Sequence, residues 1–494
     1  MLYDYLISAA KNAPKSGVSQ AGKFTPYSEI AERAGRIATG LIDRGIEKGT
    51  PIGILMVNGP DLLTMTYAVF AAGAIPVPLS AHAPRNELAA TAKKAHVAAI
   101  IPAVANLPSA LNLAEDLTIG ADRLFVVGGD GSNSIEELAK SPLGQLPRLG
   151  PDDMALYMFS SGSTGIPKVV PHTYGELTVE LRHDYGIKRY EYDDILINML
   201  PGNHIGGFMT SIGMANWGAS TVYWSDPQPL MLSKGRFAHA IADNKITQMI
   251  GVPFMYDALA SVTDELDYSR VRRFLAGAVP MRKETFDRFE QRFGRRLRQA
   301  YGSTECGGIT SNEAPENEII WDSVGTAMPG VTIELAQADN PFGPECGEIV
   351  VQSEQITKGY LDAPETNKLT LRDGKFYTGD LGMVVDGEVY VKGRTKLLIE
   401  VAGHKVDPFE VEEVLAQHPS VAEAVVVGVP DPRTGEQRIK AVIVKSADED
   451  ADTLIRYCRE RLASQKVPAF VEFRDEIPKS AAGKPLRGRL MEGG

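Results

Sequence analysis

Cysteine is scarce: Cys306, Cys346 and Cys458 are the three in 494 residues, far apart, with no C-x-x-C pair and no Cys/His ligand spacing. That excludes a disulfide framework and a cysteine-based structural zinc site, and it fits a reduced, cytoplasmic protein. Long apolar runs are missing as well. No stretch reaches the ~18 apolar residues of a spanning helix. The start, Met1-Leu2-Tyr3-Asp4-Tyr5, has neither a basic segment nor an apolar one behind it, so neither a membrane span nor secretion is expected. Basic excess is absent too: the net charge is −12, the opposite of a general nucleic-acid binder's footprint. No internal repeat or low-complexity tract interrupts the chain. What is there is 44% hydrophobic and 23% charged. That is material for roughly two to four packed units, since single cores stop growing near about 250–300 residues.

Helix and strand signals alternate from the beginning. Residues 26–45 place Ile30, Ala34, Ile37, Ala38 and Leu41 on one helical face and end at Gly45, a fitting glycine just past a helix end. Strand-like 52–56 and 75–79 flank a helical segment over 60–72, 89–95 reads as helix, and 97–101 and 124–127 read as strands. After a Pro/Gly-rich connector over 142–151, alternation resumes at 195–200, 221–224, 249–252 and 274–276. The pattern predicts an α/β protein, with a large N-terminal domain of helix-covered sheets whose strand ends open on one ligand crevice. Beyond Gly330, short strands at 347–351 and 386–390 predict a small β-rich unit. The C-terminal part reads as a separate α+β domain, with a helix at 409–417, strands at 424–429 and 439–444, and a helical face of Leu454, Ile455, Cys458 and Leu462. Its basic, glycine-containing tail, 478–489, reads as a solvated loop.

One stretch gathers unusual chemistry: Ser160, Ser161, Gly162, Ser163, Thr164, Gly165, Ile166, Pro167 and Lys168, directly after the apolar run 154–159. Glycines after a buried strand let backbone N–H groups turn toward an anion, and hydroxyls and an ammonium add donors. The pattern is not the G-x-x-x-x-G-K-[ST] loop, because Lys168 comes three residues after Gly165 and no Ser or Thr follows it. Taken alone, such a segment is more often a plain solvated loop than a phosphate cradle.

Four further motifs follow in order: Tyr301-Gly302-Ser303-Thr304-Glu305, Tyr377-Thr378-Gly379-Asp380, Gly393-Arg394-Thr395-Lys396 and Pro478-Lys479-Ser480-Ala481-Ala482-Gly483-Lys484. With the 160–168 stretch they resemble, over nearly the whole chain, the adenylate-forming superfamily of acyl-CoA synthetases, luciferases and peptide-synthetase adenylation domains. Each motif is weak alone; their common order is specific. The resemblance implies an N-terminal adenylate-forming domain over 1–393 and a mobile C-terminal lid domain over 394–494, hinged near Lys396. It also implies two half-reactions. A small-molecule carboxylic acid attacks the α-phosphate of ATP to give acyl-AMP and pyrophosphate, and the thiol of coenzyme A then takes the acyl group. ATP, Mg²⁺ and coenzyme A are the implied cofactors.

The resemblance also assigns roles. Lys484 would meet the charge that gathers on the α-phosphate. Glu305 would hold Mg²⁺, which favours a carboxylate plus substrate phosphates, and Thr304 would bond phosphate alongside the 160–168 loop. Tyr301 and Gly302 would flank adenine, walled by Gly277, Ala278, Val279 and Pro280, while Asp380 and Arg394 would bind the ribose. Without the resemblance these residues read as a tail lysine, a helix cap, a core tyrosine and a surface ion pair. His204 falls at the gate between the acyl and thiol sites. Ile205 stands where amino-acid-activating members carry an aspartate, so a free α-amino acid would bury an unpaired cation. Gly206, Gly207 and Gly277 remove bulk, which suggests room for an aryl ring or a medium aliphatic chain. Rotation about Lys396 would bring Gly403, His404 and Lys405 to line the CoA channel, with Arg433, Arg438, Lys440 and Lys466 as candidates to meet its phosphates.

Three positions depart from the family pattern. Val169 stands where a glycine is usual, Tyr377 replaces a common basic residue, and Glu400 occupies a site where some relatives carry a lysine. Alternative readings are an acyl-AMP ligase that loads a carrier-protein phosphopantetheine in trans or uses another acceptor, and, in a different class, an inactive nucleotide-binding regulatory protein. Lys484, Glu305 and Arg394 together argue against the latter. A kinase would leave the C-terminal Gly-Lys motif and the hinge without a role.

Overall fold

The computed structural model describes residues 2–160, 167–188, 190–401, 403–431, 436–479 and 484–491. In the helix Tyr27–Asp43 the apolar stripe packs inward, burying Ile30, Ala34, Ile37, Ala38 and Leu41, and Gly45 follows at φ +76°. The strand Pro51–Leu55 lies between the parallel strands Ile75–Leu79 and Ala99–Pro102. All three are continuous apolar runs because both sheet faces are covered. The expected strand at 124–127 does not form; single bridges join Leu124 to Ile100 and Val127 to Ala103.

A nine-stranded sheet holds the crevice. Its order is Thr326–Ala327, Gly307–Ser311, Arg298–Ser303, Arg273–Ala276, Gln248–Gly251, Ile195–Asn198, Ser220–Tyr223, Gly17–Gln20 and Lys23–Pro26, parallel in the middle and antiparallel at both edges. Arg298–Ser303 changes character along its length. Its first half pairs parallel with Arg273–Ala276 and its second half pairs antiparallel with Gly307–Ser311, with a bulge at Tyr301/Gly302. The carboxyl ends of these strands deliver 277–280 and 301–305 to one side, as open α/β sheets do with their ligand loops. The β-rich unit predicted beyond Gly330 is a five-stranded antiparallel sheet built on Lys375–Val385.

C-terminal to Arg394, the hairpin Ile399–Val401/His404–Val406, the helix Pro408–Ala416 and the sheet Val421–Pro430, Gln437–Lys445 and Phe470–Phe473 enclose their own apolar cluster. The tail departs from a simple solvated loop. Lys479 bridges to Pro485, Arg487–Met491 is a short helix, Leu490 is fully buried and Arg487 forks onto both oxygens of Glu412. Among the described residues, no helix is long and apolar enough to cross a membrane.

Candidate active site

Met154–Ser160 and Lys168–Thr173 form an antiparallel hairpin with Ser160 opposite Lys168, which puts both at the mouth of the loop between them. Ser161, Gly162, Ser163, Thr164 and Gly165 lie outside the described residues. Alternation along Lys168–Thr173 sends Val169 into the core, 2% exposed among Leu55, Val77 and Tyr157. The residue in the usual glycine's place therefore fills a packing position. Three residues on, His172 is buried and its Nε2 lies 2.8 Å from the Thr304 carbonyl. A carbonyl only accepts, so Nε2 carries the hydrogen, and burial holds the imidazole down to about 4 and neutral.

Thr304 and Glu305 sit in the turn after Arg298–Ser303, both buried. The Glu305 carboxylate accepts from the Tyr360 hydroxyl at 2.8 Å, and its backbone carbonyl accepts from the Thr357 N–H at 2.9 Å. The Lys168 ammonium lies 4.9 Å from the Tyr360 ring centroid. Burial, then Lys396, lowers its pKa, and Glu305 opposes that shift.

Asp380 and Arg394 face each other across the paired strands Lys375–Val385 and Glu388–Arg394. Arg394 Nε donates to Asp380 Oδ1 at 2.6 Å and the Tyr301 hydroxyl donates to Oδ2 at 2.6 Å. Beside them, Gly277 donates its N–H to Gly251, and a Cβ on Gly277 would sit 3.1 Å from the Ala300 carbonyl, so this wall needs glycine for a close backbone approach. Ala278 takes φ +69° and is exposed, Val279 packs partly against the core, and Pro280 is exposed. Gly302 is exposed at the bulge.

Lys484 reaches this group from the far end of the sequence. Burial, then Arg394, lowers its pKa, while Asp380 and Glu305 pull it back. The same ammonium, after burial, holds His204 down to about 4, so that ring is neutral as well. His204 caps the helix Ile205–Trp217, its Nδ1 accepting from the Gly206 N–H at 3.4 Å.

Around the predicted acyl pocket the three glycines separate. A Cβ on Gly207 would run into the carbonyls of Leu200 and Pro201, so its smallness serves helix–loop packing rather than pocket room. A Cβ on Gly206 would meet only His204 Nδ1 at 3.6 Å and Leu200 Cδ1 at 3.8 Å, ordinary contact distances. Ile205 is 7% exposed within the N-terminal core cluster.

Lys396 is exposed in the short 3₁₀ turn after Arg394. Gly403 and His404 are exposed, and Lys405 is paired with Asp339 at 2.9 Å. Glu400 is exposed, cross-strand from Lys405. The Arg372 guanidinium stacks 3.6 Å over the Tyr377 ring, so a cation stands at the usual basic position by another route. Of the proposed CoA-phosphate cations, Lys440 is buried and paired with Glu472, Lys466 with Glu410 and Arg438 with Asp431; Arg433 lies outside the described residues. Lys440 is therefore structural. Sequence reasoning missed His172 and Tyr360, which sit in no chemistry-bearing pattern.

Residues 8–361 match the AMP-binding enzyme family and residues 410–484 match the AMP-binding enzyme C-terminal domain. The chain is similar to a feruloyl-CoA synthase of an Amycolatopsis species, 32% identical over 98% of this chain and 97% of that one. It is similar to a long-chain-fatty-acid–CoA ligase of Bacillus subtilis, 29% identical over 98% of this chain and 93% of that one. Its fold is similar to the crystal structure of ATP-bound MatB from Rhodopseudomonas palustris, with a TM-score of 0.85 and 27% identity over 99% of this chain and 98% of that one. The chain belongs to the AMP-binding enzyme family, the adenylate-forming superfamily that its motifs resemble.

Proposed function

We propose that the protein activates a small carboxylic acid with ATP and transfers the acyl group to coenzyme A. One observation carries this reading: Lys484, from the C-terminal tail, is buried within electrostatic reach of Glu305, Asp380 and Arg394 from three other motifs. The acid's carboxylate oxygen attacks the α-phosphorus, pyrophosphate leaves, and the CoA thiol then attacks the acyl carbonyl and expels AMP. Lys484 meets the developing charge on the α-phosphate. Asp380 accepts from Arg394 at both oxygens and from Tyr301 at Oδ2, which leaves Oδ1 a lone pair for a ribose hydroxyl. Mg²⁺ supplies charge neutralisation on the phosphates when bound. Glu305 fits as its protein ligand, because only one of its carboxylate oxygens is engaged by a described residue. Magnesium held by one carboxylate plus substrate phosphates needs no more. Neutral His204 can swing without carrying charge across the acyl passage.

The relatives' names support CoA as the acceptor, and they leave aryl and aliphatic acids both in view. A panel of such acids in ATP–pyrophosphate exchange, with acyl-CoA read by mass spectrometry, tests the reading. One acid is expected to drive exchange and to give acyl-CoA only when CoA is added. Lys484→Ala is expected to lose exchange by about 10²–10³-fold at unchanged melting temperature; full exchange in that variant overturns the assignment.

A further inference from the structure

We propose that Tyr360 is a positioning residue that uses both ends of its side chain to keep Glu305 and Lys168 apart and aimed at the metal–triphosphate. The inference rests on the function proposed above. Glu305 and Lys168 carry opposite charges close enough to act on each other, yet no ion pair joins them among the described residues. In a buried setting an unrestrained carboxylate and ammonium close on each other, which would occupy the oxygen that a cation needs. Tyr360 stands between them. Its hydroxyl donates to Glu305 Oε1 at 2.8 Å, and its ring face takes the Lys168 ammonium at 4.9 Å from the centroid. A hydroxyl bonded to a carboxylate spends its one hydrogen there, and a ring face attracts a cation without neutralising it.

The tyrosine is itself held. It is 7% exposed, and Asn367 brackets its backbone, accepting from the Tyr360 N–H at 2.8 Å and donating to its carbonyl at 2.9 Å. Gly359 approaches Asn367 so closely, at φ +147°, that a Cβ would strike the amide. On either side, Thr357 bonds the Glu305 carbonyl and Leu361 bonds the Val169 carbonyl. The segment is therefore fastened to both elements whose side chains it separates. Partners of this kind behind a metal-binding carboxylate are worth about 10–100-fold in metal affinity or activity.

Tyr360→Phe keeps the ring and removes the donor. The expected result is about a tenfold rise in the Mg²⁺ concentration for half-maximal exchange at saturating ATP and acid. The same shift is expected in Mn²⁺ binding, read by electron paramagnetic resonance with a non-hydrolysable ATP analogue, where no turnover is involved. Tyr360→Leu, which removes the ring as well, is expected to add a rise in the pyrophosphate KM of the reverse reaction. Unchanged Mn²⁺ affinity and Mg²⁺ half-saturation in Tyr360→Phe overturn the inference whatever happens to its melting temperature. If wild type exchanges with no acid, the function above fails while the Mn²⁺ titration still decides the role of Tyr360.

Discussion

Gly206 and Gly207 are neighbours with opposite reasons for lacking a side chain. At Gly207 an added methyl group meets backbone carbonyls that cannot move aside, whereas at Gly206 it meets only ordinary contacts with His204 and Leu200. Gly207→Ala is expected to cost about 1–3 kcal/mol of stability, and Gly206→Ala to leave the melting temperature unchanged. If Gly206 borders the acyl chain, its alanine variant raises KM for the bulkiest accepted acids and spares the smallest. Calorimetry and the acid panel check the pair. Equal melting temperatures in both variants would contradict the packing account. Single residues of this kind are poorly legible in a sequence, because a glycine is written the same way whether backbone, ligand or solvent lies beside it. His172 shows the same limit. In sequence it is one polar residue on a short strand, and only the fold brings the Thr304 carbonyl to its ring.

Elements were more legible than residues, because the periods of helix and strand are local. The stripe over 26–45 and the runs at 75–79 and 249–252 each became the expected element. The run at 124–127 failed because apolar character specifies burial, not pairing, and its neighbours offer it single bridges. The tail failed for the opposite reason: one buried leucine and one half-buried arginine set no period. The helix Pro408–Ala416 carries a titration that sequence could not reveal. Its cap Asp407 is 4% exposed and accepts from the Phe409 N–H at 3.2 Å. Burial, aided by Glu412 and Glu410 and opposed by that N–H and Arg487, raises its carboxyl to about 7. The folded state therefore binds more protons than the unfolded state between about pH 4 and 7. Stability contributed by the neutral acid is present at low pH and is lost as pH rises through that window. Asp407→Asn keeps an acceptor for Phe409 without the charge. It is expected to be more stable than wild type by about 1–3 kcal/mol at pH 8 and to flatten the slope between about pH 4 and 7. Parallel denaturation profiles for the two proteins would contradict this.

At the scale of the whole molecule the motifs were legible and their meeting was not, since nothing local in the tail says that Lys484 lies near Glu305 and Asp380; the resemblance alone supplied that. Ion pairs between described residues cross from the C-terminal part to the rest while Lys484 lies there. Lys405 meets Asp339 at 2.9 Å and Arg489 meets Glu87 at 3.7 Å. If the C-terminal domain rotates between half-reactions to bring Gly403, His404 and Lys405 toward the thiol path, both pairs must break. Exposed pairs are weak and screened by salt, yet a two-arrangement equilibrium responds to small differences. Losing both is expected to shift the populations by about two- to fivefold. The Glu87→Ala/Asp339→Ala double variant, which leaves every proposed ligand-binding side chain in place, should then exchange pyrophosphate more slowly. It should pass preformed acyl-AMP to CoA faster, by about the same factor. Raising the salt concentration should bring wild type toward the double variant, because screening removes the same attractions. An unchanged ratio of thioester formation to exchange at low salt would show that these pairs do not restrain the rotation.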